Sequence, residues 1–299
     1  MDTCRVCGSQ KLHTILSGYK AGNNKRYSLK ECSVCSFIST VPLPTDAELK
    51  ECYHQEYWHK NETSIESTVL SLFFTVRLYG ILREIKKIAP RNGRILEWGA
   101  GDGFLMTALN ARGYECSGID LYNTNQQQKL IINTTIEDAN FPHEYFDVIT
   151  CFHVLEHLKD PVGSIERAMA LLKPGGVLIV EVPNNRAVMF TLFGKRWFLL
   201  RIPAHINHFN VTSLMRACDR NTTEILKISH FSLRVSLAAV VLTIFPAMSP
   251  EYVRRTHNGR YPLIYKLFYL MLQICVFPFV LLSMVIKRGC IIRVYIKKK

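Results

Sequence analysis

The stretch from Arg94 to Asp120, RILEWGAGDGFLMTALNARGYECSGID, constrains the fold more than any other part of the chain. It reads as an apolar strand, a turn carrying Gly99, Gly101 and Gly103, a helix, and a second strand that ends on Asp120. Glycine lets a backbone enter left-handed conformations and lets another group come close, because no Cβ stands in the way. The dinucleotide fingerprint G-x-G-x-x-G would need its third glycine at position 104, where the chain has Phe104. The bend is therefore of another type, and the acidic Glu97 precedes it.

Strand and helix patterns go on alternating after this bend, which argues for a sheet wound on both faces. Further strands are expected at Lys129–Asn133, at Tyr145–Phe152 (YFDVITCF) and at Gly176–Val182 (GVLIVEV). The turn Lys173–Gly176, KPGG, is suited to end a helix and start the last of these. Ile225–Val235 and Cys290–Lys297 supply a sixth and a seventh strand. The predicted class is α/β: a Rossmann-like, doubly wound, mainly parallel seven-stranded sheet. It carries a small N-terminal zinc ribbon and a C-terminal hydrophobic helical insertion. The expected division is 1–45 for the cysteine-bearing unit, 46–90 for a linker and amphipathic helix (Ser67–Ile88), 91–235 with 288–299 for the sheet domain, and 236–287 for the insertion.

Of the ten cysteines, four form Cys4-x-x-Cys7 and Cys32-x-x-Cys35. Four thiolates in two such knuckles can close a tetrahedron around zinc and leave no open position, so the metal would be structural. The other cysteines are scattered through apolar runs, unlike a disulfide framework, and a reducing cytoplasm is the natural compartment. The N-terminus MDTCRVCGSQ has no apolar signal core, so export is not expected. The formal charge of +13 favours an anionic partner, either nucleic acid or acidic lipid.

Leu267–Ile286 is twenty residues without a charge, and Leu237–Met248 is a second apolar run interrupted by Pro246. By length the first could span a bilayer. Both of its flanks are basic, however, with Arg254, Arg255 and Arg260 before it and Lys287, Arg288 and Arg293 after it. Basic ends stay on the cytoplasmic face, and a crossing would part the seventh strand from its sheet. The preferred expectation is an insertion into one leaflet of the inner membrane surface, bent at Pro278, with cations on anionic lipid phosphates. A buried helix pair, a dimer interface and a true span are the alternatives.

The spacing E-x-G-x-G-x-G resembles that of class I S-adenosylmethionine methyltransferases. In such a site Glu97 supports the loop or the methionine portion of the cofactor, Gly99, Gly101 and Gly103 line it, and Asp120, with Leu121 after it, accepts both ribose hydroxyls. The resemblance implies an acid at Ile136–Phe141 on the adenine amino group, where Glu137 and Asp138 both qualify; solvated loop acids are the alternative. His153-Val-Leu-Glu156-His157 is similar to a segment of bacterial methyltransferases with an N-terminal zinc unit, and it is not the zinc-protease H-E-x-x-H. Strand four should deliver His153 near the sulfonium end, and His157 either points the same way or only packs. Trp197, Pro203, His205, His208 and Phe209, in W-x5-P-x-H-x-x-H-F, follow Val182-Pro-Asn-Asn185 and are expected to form a lid or substrate wall. His205 and His208 are the leading base candidates, with His157 beside them, because histidine titrates near neutrality.

Taken together the chain resembles bacterial class I methyltransferases encoded with cell-surface polysaccharide genes. That resemblance implies methyl transfer from S-adenosylmethionine to an oxygen, or a carbon, of a lipid-linked glycan or related amphipathic acceptor. Sugar C-methyltransferases with a zinc unit are also similar, but longer. Membrane-associated quinone methyltransferases share the central domain, and a quinone or lipid acceptor is the alternative. A nucleic-acid methyltransferase or binder is the rival class. Where such amino methyltransferases carry [ND]-P-P-[YF], this chain reads CFHVLEH, so nucleic acid is not the expected partner. The oligomeric state is left open.

Overall fold

The computed structural model describes residues 3–21, 24–57, 67–122, 130–219, 221–233, 235–249, 252 and 263–299. Lys129 of the expected third strand and the flanking Arg254, Arg255 and Arg260 lie outside the described residues.

The N-terminal strands β1 (Leu12–Lys20), β2 (Arg26–Cys32) and β3 (Ile38–Val41) form an antiparallel ladder. Helices α1 (Asp46–Tyr57) and α2 (Ser67–Ile88) lead into the central domain, the second matching the expected amphipathic helix. There β4 (Arg94–Trp98), α3 (Phe104–Asn110), β5 (Glu115–Ile119), β6 (Ile131–Ile132), β7 (Phe146–Phe152), α4 (Pro161–Leu171) and β8 (Leu172–Pro183) follow. After these come α5 (Val188–Phe193), β9 (Asn207–His208), α6 (Val211–Arg216), β10 (Thr223–Ser229), α7 (Ser236–Ile244), α8 (Leu263–Val285) and β11 (Ile291–Lys298).

The main sheet has seven strands in the order β10-β11-β8-β7-β4-β5-β6. Strands β4 to β8 are parallel, and β11 runs antiparallel between β8 and β10. The doubly wound α/β expectation holds. The winding reverses at β4, which lies between β5 and β7, and a crevice opens beyond the carboxyl ends of strands at such a reversal. Successive residues serve opposite faces, as the pleat requires. Ile95 and Val148 pack with Ile81, Ile85, Leu105 and Leu109 of α2 and α3, while Leu96 and Ile149 pack with Ile165 and Ala168 of α4.

Three local expectations are revised. The KPGG segment belongs to β8 as a bulge: Phe146 pairs with Leu172 and Val148 with Val177, Gly175 has φ +78°, and Lys173 Nζ holds Asp147 Oδ1 of β7 at 2.7 Å. The sixth strand stops at Ser229, and the chain then turns into α7 through a Ser236 N–H donated to the Ser232 carbonyl and a Ser232 N–H donated to Ser236 Oγ. The third strand is only Ile131–Ile132.

The cysteine unit packs onto the sheet domain. Strand β9 adds to its ladder, Ile38 pairing with His208 and Ser39 with Asn207, and Cys4, Cys35 and Phe37 share one continuous core with Leu96 and Phe209. Asn185 and Asn210 both donate to the Ser36 carbonyl and fasten the knuckle to the strand ends.

Helices α7 and α8 pack on each other through Val241, Leu242, Leu272 and Val276. Helix α8 is the one described helix long and apolar enough to cross a membrane. Its inner face carries Leu272, Gln273, Val280 and Ser283, all buried. Ile264, Leu267, Phe268, Met271, Ile274, Leu282 and Val285 recur at helical spacing on the exposed side.

Candidate active site

The bend after β4 is built by three left-handed glycines, with φ of +79° at Gly99, +52° at Gly101 and +68° at Gly103. At Gly99 a side chain is excluded twice over, since an added Cβ would stand 2.2 Å from Val154 Cγ2. The HVLEH segment after β7 thus lies directly against the glycine bend. Glu97 is buried on β4, and its Oε2 accepts the Met106 N–H at 2.9 Å, tying the strand to the first turn of α3.

Asp120 closes the cradle from the end of β5. Its Oδ2 accepts the Gly101 N–H at 2.9 Å and its Oδ1 accepts the Tyr122 N–H at 2.9 Å. A carboxylate offers about four acceptor positions, so this half-buried group keeps capacity for a pair of vicinal hydroxyls. Leu121 beside it is half exposed. Glu137 and Asp138 lie in the turn after β6. Glu137 accepts from Ser164 of α4, and Asp138 Oδ2 accepts from Thr135 Oγ1 at 2.9 Å. Each acid has a local partner, and neither is drawn to the glycine bend by these contacts.

His153 follows β7 with φ +58°, a conformation a non-glycine residue holds only where its surroundings enforce it. Its Nδ1 lies 3.1 Å from Glu156 Oε1 and its Nε2 3.1 Å from Glu181 Oε1, while Arg293 of β11 donates to the other oxygen of Glu181. Burial disfavours the imidazolium, but the two carboxylates outweigh it and raise His153 to about 9. Burial likewise opposes charge on Glu181, yet Arg293 and His153 hold it down at about 2. His153 is thus a charged brace between carboxylates, with both nitrogens engaged.

His157 sits on a single 3-10 turn, Leu155–His157, rather than along a helix. Its Nδ1 donates to the Ala204 carbonyl at 2.8 Å, and its ring meets His205 edge-on at 4.8 Å between centroids. His205 Nδ1 donates to the Leu199 carbonyl at 2.8 Å. Burial lowers both rings, His205 well below the ordinary range, so the pair is uncharged at neutral pH.

His208 departs from the expected lid. The whole segment from Ile202 to Asn210 is buried, because β9 is claimed by the cysteine unit's ladder and Asn207 donates to the Leu155 and Leu158 carbonyls. His208 Nε2 lies 3.1 Å from Thr40 Oγ1, and burial together with Arg5 pushes it down to about 3. A ring so placed is a joint between two sheets and a poor proton acceptor near neutrality.

The cysteine cluster is compact. Cys4 and Cys35 Sγ lie 3.6 Å apart, as do Cys7 and Cys32, and all four sulfurs fall within 4.8 Å of one another. Zn–S bonds of about 2.3 Å in a tetrahedron put sulfurs roughly 3.8 Å apart, so the four residues fit a zinc ion. Burial raises the Cys4 and Cys35 thiols, whereas the backbone N–H groups of Cys35 and Val34 overcome it at Cys32 and lower that group to about 7.

Sequence reasoning gave Glu156 and Glu181 no site role, and it read Arg293 as a flanking cation for lipid, whereas burial in β11 pairs it with Glu181 instead. The signal was present for Glu181, a lone acid in the apolar run GVLIVEV, whose burial demands partners.

A methyltransferase-domain family model matches residues 57–227, more than half of the chain. Among curated proteins, the ubiquinone biosynthesis O-methyltransferase of Haemophilus ducreyi is 32% identical over 163 residues, 46% of this chain and 69% of that protein. The protein of the same name from Coxiella burnetii is 31% identical over 131 residues, 40% of this chain and 56% of that protein. A solved structure from Galdieria sulphuraria, assigned as a sarcosine dimethylglycine methyltransferase, covers 84% of this chain and 98% of its own at a TM-score of 0.51 and 15% identity, which is likeness of fold. The sheet order, the glycine cradle and the family match agree, and the chain belongs to the methyltransferase-domain family, as a class I S-adenosylmethionine-dependent methyltransferase.

Proposed function

We propose that the chain methylates a hydroxyl oxygen of an amphipathic acceptor held at a membrane surface. S-Adenosylmethionine supplies an electrophilic methyl group on its sulfonium. In this reading Asp120 takes the ribose hydroxyls, the three glycines let the backbone approach the cofactor, and Glu97 keeps the bend on α3. The acceptor hydroxyl is activated beside the uncharged His157–His205 pair, while His153 braces the floor. Alignment of nucleophile, methyl and sulfur in a water-poor site supplies much of the acceleration.

The observation that carries the acceptor class is the outer face of α8. Its outer face is apolar as well as its inner one, and the polar Gln273 and Ser283 are buried, whereas a helix at a water interface turns polar groups outward. Because Leu272 and Val280 hold the helix along the protein body, it suits lying in a lipid surface better than crossing one. Lys287 and Arg288, at its C-terminal end, complement anionic headgroups. The relatives' name supports a quinone-type acceptor, and the N-terminal cysteine unit, whose four thiols fit a structural zinc ion, is the feature that favours a lipid-linked glycan through the resemblance given above.

Membranes incubated with methyl-tritiated S-adenosylmethionine and the protein test this. Label should enter lipid extracts, and its chemical identification separates quinone from glycan. A variant with Ile274→Glu and Leu282→Glu, at side chains 67% and 60% exposed, should bind S-adenosylhomocysteine normally. It should sediment with anionic vesicles at least ~100-fold more weakly, since two apolar anchors contribute ~3 kcal/mol together. Label confined to water-soluble products, or unchanged vesicle binding, would overturn the proposal.

A further inference from the structure

Glu156 is fully buried, its Oε1 engages His153, and its Oε2 has no protein partner. An unsatisfied buried carboxylate oxygen is costly and rare in native folds. Beside it stand His157 and His205, and one ligand atom from each of the three residues lies within 4.8 Å of the others.

The chemistry of the two rings is set by their backbone contacts. Each donates its Nδ1 proton to a carbonyl, His157 to Ala204 and His205 to Leu199, both at 2.8 Å. An uncharged imidazole with its proton on Nδ1 carries its lone pair on Nε2. A carbonyl behind Nδ1 is also how metal-binding histidines are held in tautomer and orientation. The carboxylate is braced in the same manner, through His153 on its other oxygen.

We propose that Glu156, His157 and His205 form a divalent-cation site distinct from the cysteine cluster. Two imidazoles and a carboxylate suit Zn²⁺, Mn²⁺, Fe²⁺ or Co²⁺ better than Mg²⁺ or Ca²⁺, which prefer all-oxygen shells. Three protein ligands leave positions open for a water or an acceptor oxygen, the pattern of a reactive rather than a structural site. Its place fits that use: Val154, two residues before Glu156, packs on Gly99 of the cofactor bend. A cation here would acidify a bound hydroxyl, so the histidine pair would act as ligands rather than as a proton acceptor. That last role rests on the acceptor reading above, whereas the cation site does not.

Chelator-stripped full-length protein titrated with Co²⁺ tests the site without turnover. Cobalt on the four cysteines gives an intense sulfur-to-metal charge-transfer band, whereas cobalt on nitrogen and oxygen gives only weak visible bands. The wild type should take up two Co²⁺ per chain, one of each kind. Glu156→Gln, which keeps the shape of the side chain, should lose the weak-banded ion and keep the thiolate ion, so its stoichiometry falls to one. Uptake of thiolate-bound cobalt alone by the wild type, or two unchanged cobalt sites in Glu156→Gln, would overturn the inference. Should Glu156→Gln not fold, the wild-type titration still decides. Two cobalt sites without label in membrane lipid would leave this site standing and remove the acceptor proposal instead.

Discussion

Replacing Gly99 by Ala probes the contact that joins the cofactor bend to the HVLEH segment. Gly99 has φ +79°, and an L-residue there costs about 1–2 kcal/mol. The new methyl would also stand 2.2 Å from Val154 Cγ2, far inside contact distance, and forced overpacking adds about 1–3 kcal/mol. The single variant should therefore lose about 2–5 kcal/mol in urea denaturation, with weaker binding of S-adenosylhomocysteine. Val154→Ala removes the obstructing methyl and by itself leaves a small void, at about 1 kcal/mol. The double variant should recover the steric part and keep the backbone part, so the two changes couple by about 1–3 kcal/mol in the favourable direction. Additivity within about 0.5 kcal/mol, or an unperturbed Gly99→Ala variant, would refute the packing argument.

The buried histidines held neutral predict acid lability. His208 is held at about 3, below its unfolded value near 6.5, so its contribution is present above pH 6.5 and lost as the pH falls. At pH 5, some 1.5 units below the unfolded value, that loss is about 2 kcal/mol; His208→Gln should flatten the denaturation free energy between pH 7 and 5 by that amount. Cys35→Ser should lower sulfur-bound zinc, read by mass spectrometry, by about one ion per chain and lower the melting temperature; an unchanged metal content would contradict the cysteine site.

The parts of this protein that were legible in its sequence are those where one residue type has no substitute. Gly99, Gly101 and Gly103 announce backbone that other residues cannot follow, and the acid at the end of the next strand lies where the chain reversal needs it. The knuckle cysteines were equally readable. What stayed hidden depended on pairing between distant segments. Nothing in P-x-H-x-x-H-F announces that Asn207 and His208 will join Ile38 and Ser39 in a ladder, so an expected lid became a buried strand. KPGG carries the composition of a turn, yet it bulges out of β8 between the Phe146–Leu172 and Val148–Val177 pairs, with Lys173 held to Asp147. His153 was readable as a residue at the end of a parallel strand, but its brace was not, because Glu181 and Arg293 come in from two other strands.

Titration calorimetry with S-adenosylhomocysteine tests most directly whether Asp120 and the glycine bend receive the adenosyl ligand. Asp120→Asn removes a charged acceptor of two hydroxyls, each such hydrogen bond contributing about 1.5–3 kcal/mol, so affinity should fall at least ~100-fold while the variant stays folded. Equal affinity in the two proteins, or heatless titration of the wild type, would contradict the assignment of this cradle.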